Sequence, residues 1–179
     1  MNLYFLRHAI AIDHDNPKVQ SDGERFLTAK GSKRMRKTAQ GLRVLKIPFD
    51  AILTSPAVRA RQTADIVAAE LKLESDLKEL IDLGPESTVD HLISGLSRLQ
   101  NYEHLLLVGH EPLLTQTVAF LLTADKASGL NLSLKKAGLC QVEIDRVPPS
   151  KPGTLRFWLT PKQLRLIGKS AQAKTHHER

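Results

Sequence analysis

Asn2-Leu3-Tyr4-Phe5-Leu6-Arg7-His8-Ala9-Ile10 opens the chain with an apolar run that ends in a guanidinium and an imidazole, side by side. A run this continuously apolar reads as a strand buried on both faces, as parallel sheets require. The C-terminal ends of such strands are where α/β proteins place their ligands. Arginine supplies a forked, permanently charged donor set and histidine a titratable nitrogen, a pairing suited to a phosphoryl group. The same pair also arises as a plain strand-end contact, so its reading depends on what the rest of the chain brings beside it.

Outward from this strand, strand-like and helix-like segments alternate. A polar loop through Asp13, Asp15, Asn16, Pro17 and Gly23 leads to Thr28, which can cap a helix running to about Leu45. Residues 49–53 form a second apolar run, after which Pro56 opens a helix carrying Val58, Ile66, Val67 and Leu71. Residues 87–99 read as an amphipathic helix. Leu105-Leu106-Leu107-Val108 is the most apolar strand and is expected at the sheet centre, with Gly109-His110-Glu111-Pro112 turning it into a helix over 113–122. Residues 139–144 and 154–159 alternate apolar with polar and read as a hairpin-like or edge pair. A short helix near 162–167 ends the fold. The pattern predicts an α/β protein, a three-layer α/β/α sandwich with a mostly parallel central sheet. It also predicts one domain over residues 1–169 and a flexible basic tail over 170–179.

Composition narrows the function classes. At 179 residues, 41% hydrophobic and 25% charged, the chain is in the globular range. No apolar run approaches the ~20 residues that span a bilayer, and the N-terminus lacks a secretory pattern, so no membrane association and a cytoplasmic location are expected. The lone Cys140 excludes an intrachain disulfide framework. A net charge of +7 favours acidic partners. The basic residues fall into two groups, one from Lys30 to Arg43 and the other from Lys162 onward, and neither is interleaved with aromatics. Nucleic acid is therefore not expected as the partner, and the charge is read as a modifier of substrate preference.

Three strand-to-helix junctions carry distinctive groups. The first presents Arg7 and His8. The second, Thr54-Ser55-Pro56-Ala57-Val58-Arg59-Ala60-Arg61-Gln62-Thr63, puts Arg59 in the first turn of a helix, whose free N–H groups already suit an anion. The third presents His110 after Gly109. Parallel strands would converge these ends on one sheet edge, making an anion cradle with a built-in nucleophile. A transferring phosphoryl group spreads charge over its oxygens, so fixed cations supply most of the catalysis. An imidazole attacks phosphorus only when neutral, and flanking arginines disfavour its protonation. No metal or other cofactor is required by this chemistry, since the guanidiniums carry the charge.

Arg7-His8, the segment from Ser55-Pro56 through Arg59-Ala60 to Gln62-Thr63, and Gly109-His110 resemble the histidine phosphatase (phosphoglycerate mutase-like) superfamily. The finer resemblance is to its SixA-type phosphohistidine phosphatases. Arg25-Phe26-Leu27-Thr28-Ala29-Lys30-Gly31 and Thr154-Leu155-Arg156-Phe157-Trp158-Leu159-Thr160-Pro161 support that branch. The resemblance implies a phosphoglycerate mutase-like fold and His8 as the phosphorylated nucleophile. It also implies Arg7, Arg59 and His110 as phosphoryl-binding groups, joined by Arg25. The usual Arg-His-Gly is Arg7-His8-Ala9 here, which implies a different backbone at that turn. Glu79 lies where mutase-like relatives carry a general acid, with Asp82 as competitor and a solvated surface carboxylate as its plain reading. Cys140 to Arg146 has the Cys-to-Arg spacing of cysteine phosphatases but contains no glycine. Its alternation reads as a half-buried strand, with Cys140 in the core.

The expectation is a metal-independent phosphatase acting through a phosphohistidine intermediate on phosphohistidine in a signalling (histidine phosphotransfer) protein. A small-molecule phosphomonoesterase and a non-catalytic phosphate- or nucleic-acid-binding module are the alternatives.

Overall fold

A computed structural model describes residues 1–177, with side chains through residue 171. Among the described residues one sheet contains β1 (Asn2–Arg7), β2 (Ala51–Thr54), β3 (Leu77–Glu79), β4 (His104–Gly109), β5 (Leu139–Glu143) and β6 (Thr154–Leu159). The strand order is β3-β2-β4-β1-β5-β6. The first four strands in that order run parallel, and β5 and β6 add an antiparallel edge. The mostly parallel sheet is thus as the apolar runs predict.

Each central strand is buried on both faces, and its side-chain alternation divides the core in two. Leu3, Phe5, Leu53, Leu105 and Leu107 face one layer, where Leu92 and Leu96 of α3 (Val89–Ser97) and Leu114, Val118 and Leu121 of α4 (Leu113–Thr123) pack against them. Tyr4, Leu6, Ile52, Leu106 and Val108 face the other. There they meet Met35 and Leu42 of α1 (Ala29–Leu45), Ala64 and Val67 of α2 (Val58–Leu71) and Leu164 of α5 (Pro161–His177). The result is a three-layer α/β/α sandwich of phosphoglycerate mutase-like type. No described helix is long and apolar enough to cross a membrane.

Thr28 caps α1 as its sequence predicts, its Oγ1 accepting from the Gly31 N–H at 2.9 Å. Several expectations need correction. β3 was not anticipated: three residues on an exposed edge carry no readable alternation. α2 begins at Val58 rather than at Pro56. His104, which carries no motif in the sequence, is half-buried and its Nδ1 shares a 2.9 Å hydrogen bond with Tyr4 Oη. The last helix, expected to end at Ile167, runs on to His177, and residues 178–179 of the expected tail lie outside the described residues. Nothing in residues 169–177 stops a helix, since that stretch has neither proline nor glycine. Gly168 is tolerated because α1 and α5 approach there: a Cβ on Gly168 would lie 2.9 Å from the Gly41 nitrogen, and one on Gly41 would lie 2.0 Å from the Leu164 carbonyl oxygen.

Candidate active site

The parallel register brings the ends of β1, β2 and β4 to one edge, Arg7 pairing with Gly109 and Thr54 with Val108. The residues that follow form a cavity of about 280 Å³ lined by Arg7, His8, Asp22, Arg25, Arg59, Pro85, His110, Glu111 and Lys136. A larger cavity of about 580 Å³, lined by Thr88, Pro112, Thr115, Phe120 and their neighbours, contains neither histidine.

His8 follows β1 and is 6% exposed. Its Nδ1 lies 2.7 Å from the Ala9 carbonyl oxygen. A carbonyl can only accept, so the ring proton is on Nδ1 and the lone pair on Nε2. Burial, reinforced by His110, Arg59 and Arg7, holds its pKa down at about 3, so the imidazole is neutral at physiological pH. The turn beyond it is tied to α2: the Ala9 N–H donates to Thr63 Oγ1 at 3.0 Å, and that hydroxyl donates to the Arg59 carbonyl at 2.7 Å. Ala9 is 2% exposed and is not among the residues with positive φ, so a methyl group fits where the resemblance led one to expect glycine.

His110 is 3% exposed, its ring centroid 5.1 Å from that of His8. Its Nε2 shares a 2.8 Å hydrogen bond with Ser55 Oγ, which also accepts from the Ala57 N–H at the entry to α2. Burial first, then Arg59, lowers its pKa to about 4. Arg7 Nη1 donates to the Leu134 carbonyl at 2.9 Å. Arg59, 4% exposed, donates through Nη2 to Asp22 Oδ2 at 2.6 Å. Arg25 donates through Nη1 to Asp22 Oδ1 at 2.8 Å and through Nε to the Ile12 carbonyl at 2.8 Å. Between them the two arginines hold the Asp22 carboxyl below its usual range. Arg61 and Arg43, not Arg59, form the helix-surface ion pairs with Asp65 and Glu70.

Among the described residues, the buried side-chain polar atoms without a hydrogen-bond partner are Arg7 Nε, Arg59 Nε, His110 Nδ1 and Glu111 Oε1. All four residues line this one cavity. Unsatisfied buried polar groups are costly and rare, so their concentration here marks a place where a polar ligand completes the bonding.

The structure therefore brings together His8, His110, Arg7, Arg59 and Arg25. It does not bring Glu79 to them. Glu79 ends the edge strand β3, is exposed and does not line the cavity. Asp82 is also outside the lining and packs its carboxylate under Gly95 of α3. Glu111, Asp22, Pro85 and Lys136 are the lining residues that the sequence reading missed. Glu111, quoted there only as part of a turn, accepts a hydrogen bond on Oε2 from the Thr115 hydroxyl, while its other oxygen is one of the unpartnered atoms. Its place directly after His110 was the available signal. For Asp22 the signal was its place three residues before Arg25, while its other partner, Arg59, is 37 residues away in sequence. Cys140 is fully buried on β5 opposite Phe5, and burial pushes its thiol pKa up, as befits a core residue. No group of three or more described His, Cys, Asp or Glu side chains could hold a metal ion.

A family model described as histidine phosphatase superfamily (branch 1) matches residues 3–84. With the fold and the convergent histidines and arginines, that match places the chain: it belongs to the histidine phosphatase superfamily. Within it the kinship is to SixA. The chain is 28% identical to the phosphohistidine phosphatase SixA of Escherichia coli over 93% of its own length and 98% of that protein. It matches the structure of the protein histidine phosphatase SixA complexed with tungstate at a TM-score of 0.77 and 27% identity, covering 92% of this chain and 99% of that one. It is also 40% identical to an uncharacterized protein of Picosynechococcus sp., over 78% of this chain and 82% of that protein.

Proposed function

We propose that this chain is a phosphatase that works through a phosphohistidine intermediate on His8 and acts on phosphohistidine carried by a signalling protein. The observation that carries the reading is the cluster of unpartnered buried atoms around a neutral imidazole whose lone pair is confined to Nε2. Arg7, Arg59, Arg25 and His110 hold the phosphoryl oxygens, where fixed cations offset the charge that develops in transfer. The similarity to a SixA structure carrying tungstate, a tetrahedral oxyanion, is in keeping with that role.

In the first step the Nε2 lone pair attacks phosphorus and the bond to the leaving atom breaks. Glu111, not Glu79, supplies the proton that the leaving atom takes up. In the second step the oxygen of a water attacks phosphorus and the P–N bond breaks. The water proton passes to Glu111, and inorganic phosphate leaves with the electron pair back on Nε2 and His8 neutral again. Neither step routes through a cofactor. The small cavity accepts the phosphoryl group and leaves the rest of the substrate outside, which suits a side chain presented by another protein. A cytoplasmic location goes with that reading.

The test is trapping with ³²P-labelled substrate, quenched in alkaline denaturant, where a phosphohistidine survives. Label on the wild-type chain that is absent from His8→Ala is expected. Label retained by His8→Ala refutes the nucleophile, and no turnover of any phosphorylated substrate, with salt-sensitive nucleic-acid binding instead, refutes the enzyme.

A further inference from the structure

The sequence contains no aspartate or glutamate in residues 25–49 or 146–177, the stretches that become α1 and α5. Those two helices pack side by side through Gly41 and Gly168. Lys30, Lys33, Arg34 and Lys37 stand exposed on α1 at the spacing of a single helical stripe. From α5, exposed Lys162 and Lys169 and half-buried Arg165 join them. Lys37 and Gln40 line one groove of about 400 Å³ together with Lys162, Arg165, Leu166 and Lys169, so the cations of the two helices form a continuous surface. None of the seven is ion-paired among the described residues. No acidic residue of α1 or α5 offsets these seven cations, and the α1–α5 face is their common address.

That address adjoins the catalytic cavity. Arg25 lines the cavity four residues before α1 begins. The first turn of α1 rests on Ile10, two residues beyond His8: the Thr28 N–H donates to the Ile10 carbonyl at 3.0 Å, and Gly31 lies directly against that carbonyl. From Lys30 to Lys37 the stripe runs away from this end by about 10 Å at 1.5 Å per residue. A small phosphoester held in the cavity does not reach it, whereas a protein presenting a phosphorylated side chain to His8 covers it.

We infer that the α1–α5 face is the docking surface for an acidic face of a phosphorylated protein substrate. The inference rests on the phosphatase reading and names what that phosphatase recognises. Leu166, 52% exposed and lining the same groove, favours a protein over a nucleic acid. An apolar side chain among cations gives a protein partner a contact to bury, but offers nothing to a phosphate backbone. The cations steer the encounter and set the orientation.

The test compares the full chain with a Lys33→Glu, Lys37→Glu, Lys169→Glu variant, all three positions being exposed, with circular dichroism melting to verify folding. Two substrates are used: p-nitrophenyl phosphate and an acidic histidine-phosphotransfer protein phosphorylated on its histidine. The expected result is a fall of about tenfold or more in kcat/KM for the phosphoprotein, carried by KM, with its salt dependence lost. Turnover of p-nitrophenyl phosphate stays unchanged. Equal phosphoprotein turnover by the two chains overturns the docking surface while leaving the phosphatase intact. A wild-type chain that hydrolyses the small ester and not the phosphoprotein overturns it too. Loss of duplex DNA binding, or of binding to phosphatidylserine vesicles, with phosphoprotein turnover kept, assigns the face to those partners instead. A wild-type chain inert toward both substrates refutes the phosphatase reading itself.

Discussion

Replacing Asp22 by alanine should make the site bind phosphate more tightly, because Asp22 now occupies the cations a phosphate needs. Its carboxylate takes one hydrogen bond from Arg59 Nη2 at 2.6 Å and one from Arg25 Nη1 at 2.8 Å. Charge-assisted hydrogen bonds contribute roughly 1.5–3 kcal/mol when sheltered. The Asp22 side chain is 49% exposed, and screening brings each contact nearer to 1 kcal/mol or less. An incoming phosphate must displace both, so removing the competitor favours binding by about 1–2 kcal/mol, a factor of roughly 5 to 30. The assay is competitive inhibition of p-nitrophenyl phosphate hydrolysis by inorganic phosphate at pH 7, where Asp22, its pKa held down by the arginines, is ionised. Asp22→Asn, which keeps the shape without the charge, should move the inhibition constant in the same direction. An unchanged or weaker affinity in both variants would refute the reasoning and make Asp22 a positioning partner of the arginines.

Two more outcomes follow from the site. His8 and His110 are held at pKa values of about 3 and 4, against about 6.5 in an unfolded chain. The unfolded state then binds more protons, so this stability is fully present above about pH 6.5 and is lost as pH falls, by about 1.4 kcal/mol per histidine for each pH unit. Urea midpoints measured from pH 7 to 5 should fall with that slope and flatten in a His8→Gln, His110→Gln double variant; parallel slopes in the two chains contradict it. Glu111→Gln should slow phosphoenzyme formation from alkyl phosphates by roughly 10²- to 10⁴-fold while sparing its formation from p-nitrophenyl phosphate, whose leaving group needs no proton. Equal losses on both substrates would mean that Glu111 only shapes the cavity through Thr115.

How much was legible in advance depended on the range of each interaction. The apolar runs at Leu3–Leu6 and Leu105–Val108 could only be strands covered on both faces, so the parallel core and its three ligand-bearing ends were readable as local pattern. β3 has three residues and an exposed edge, too little for a period to register. The ends of α1 and α2 fall on Lys46 and Lys72 in left-handed conformation, where a reader looks for glycine. Glu79 lies where the resemblance implies a general acid, yet the sheet places it on the far side of β2, outside the cavity.

By itself, the sequence determined the residue types that make phosphate chemistry possible and the strand ends on which Arg7, His8, Arg59 and His110 are carried. Those properties are local, because burial pattern and turn chemistry are set within a few residues. Tertiary structure alone decided the burial that keeps His8 and His110 neutral, the carboxylate of Asp22 set against Arg59, the unpartnered oxygen of Glu111 and the merging of two basic helices into one face. Each of these depends on groups distant in the chain being brought within a few ångströms, or on water being excluded around them. No spacing along the sequence encodes either.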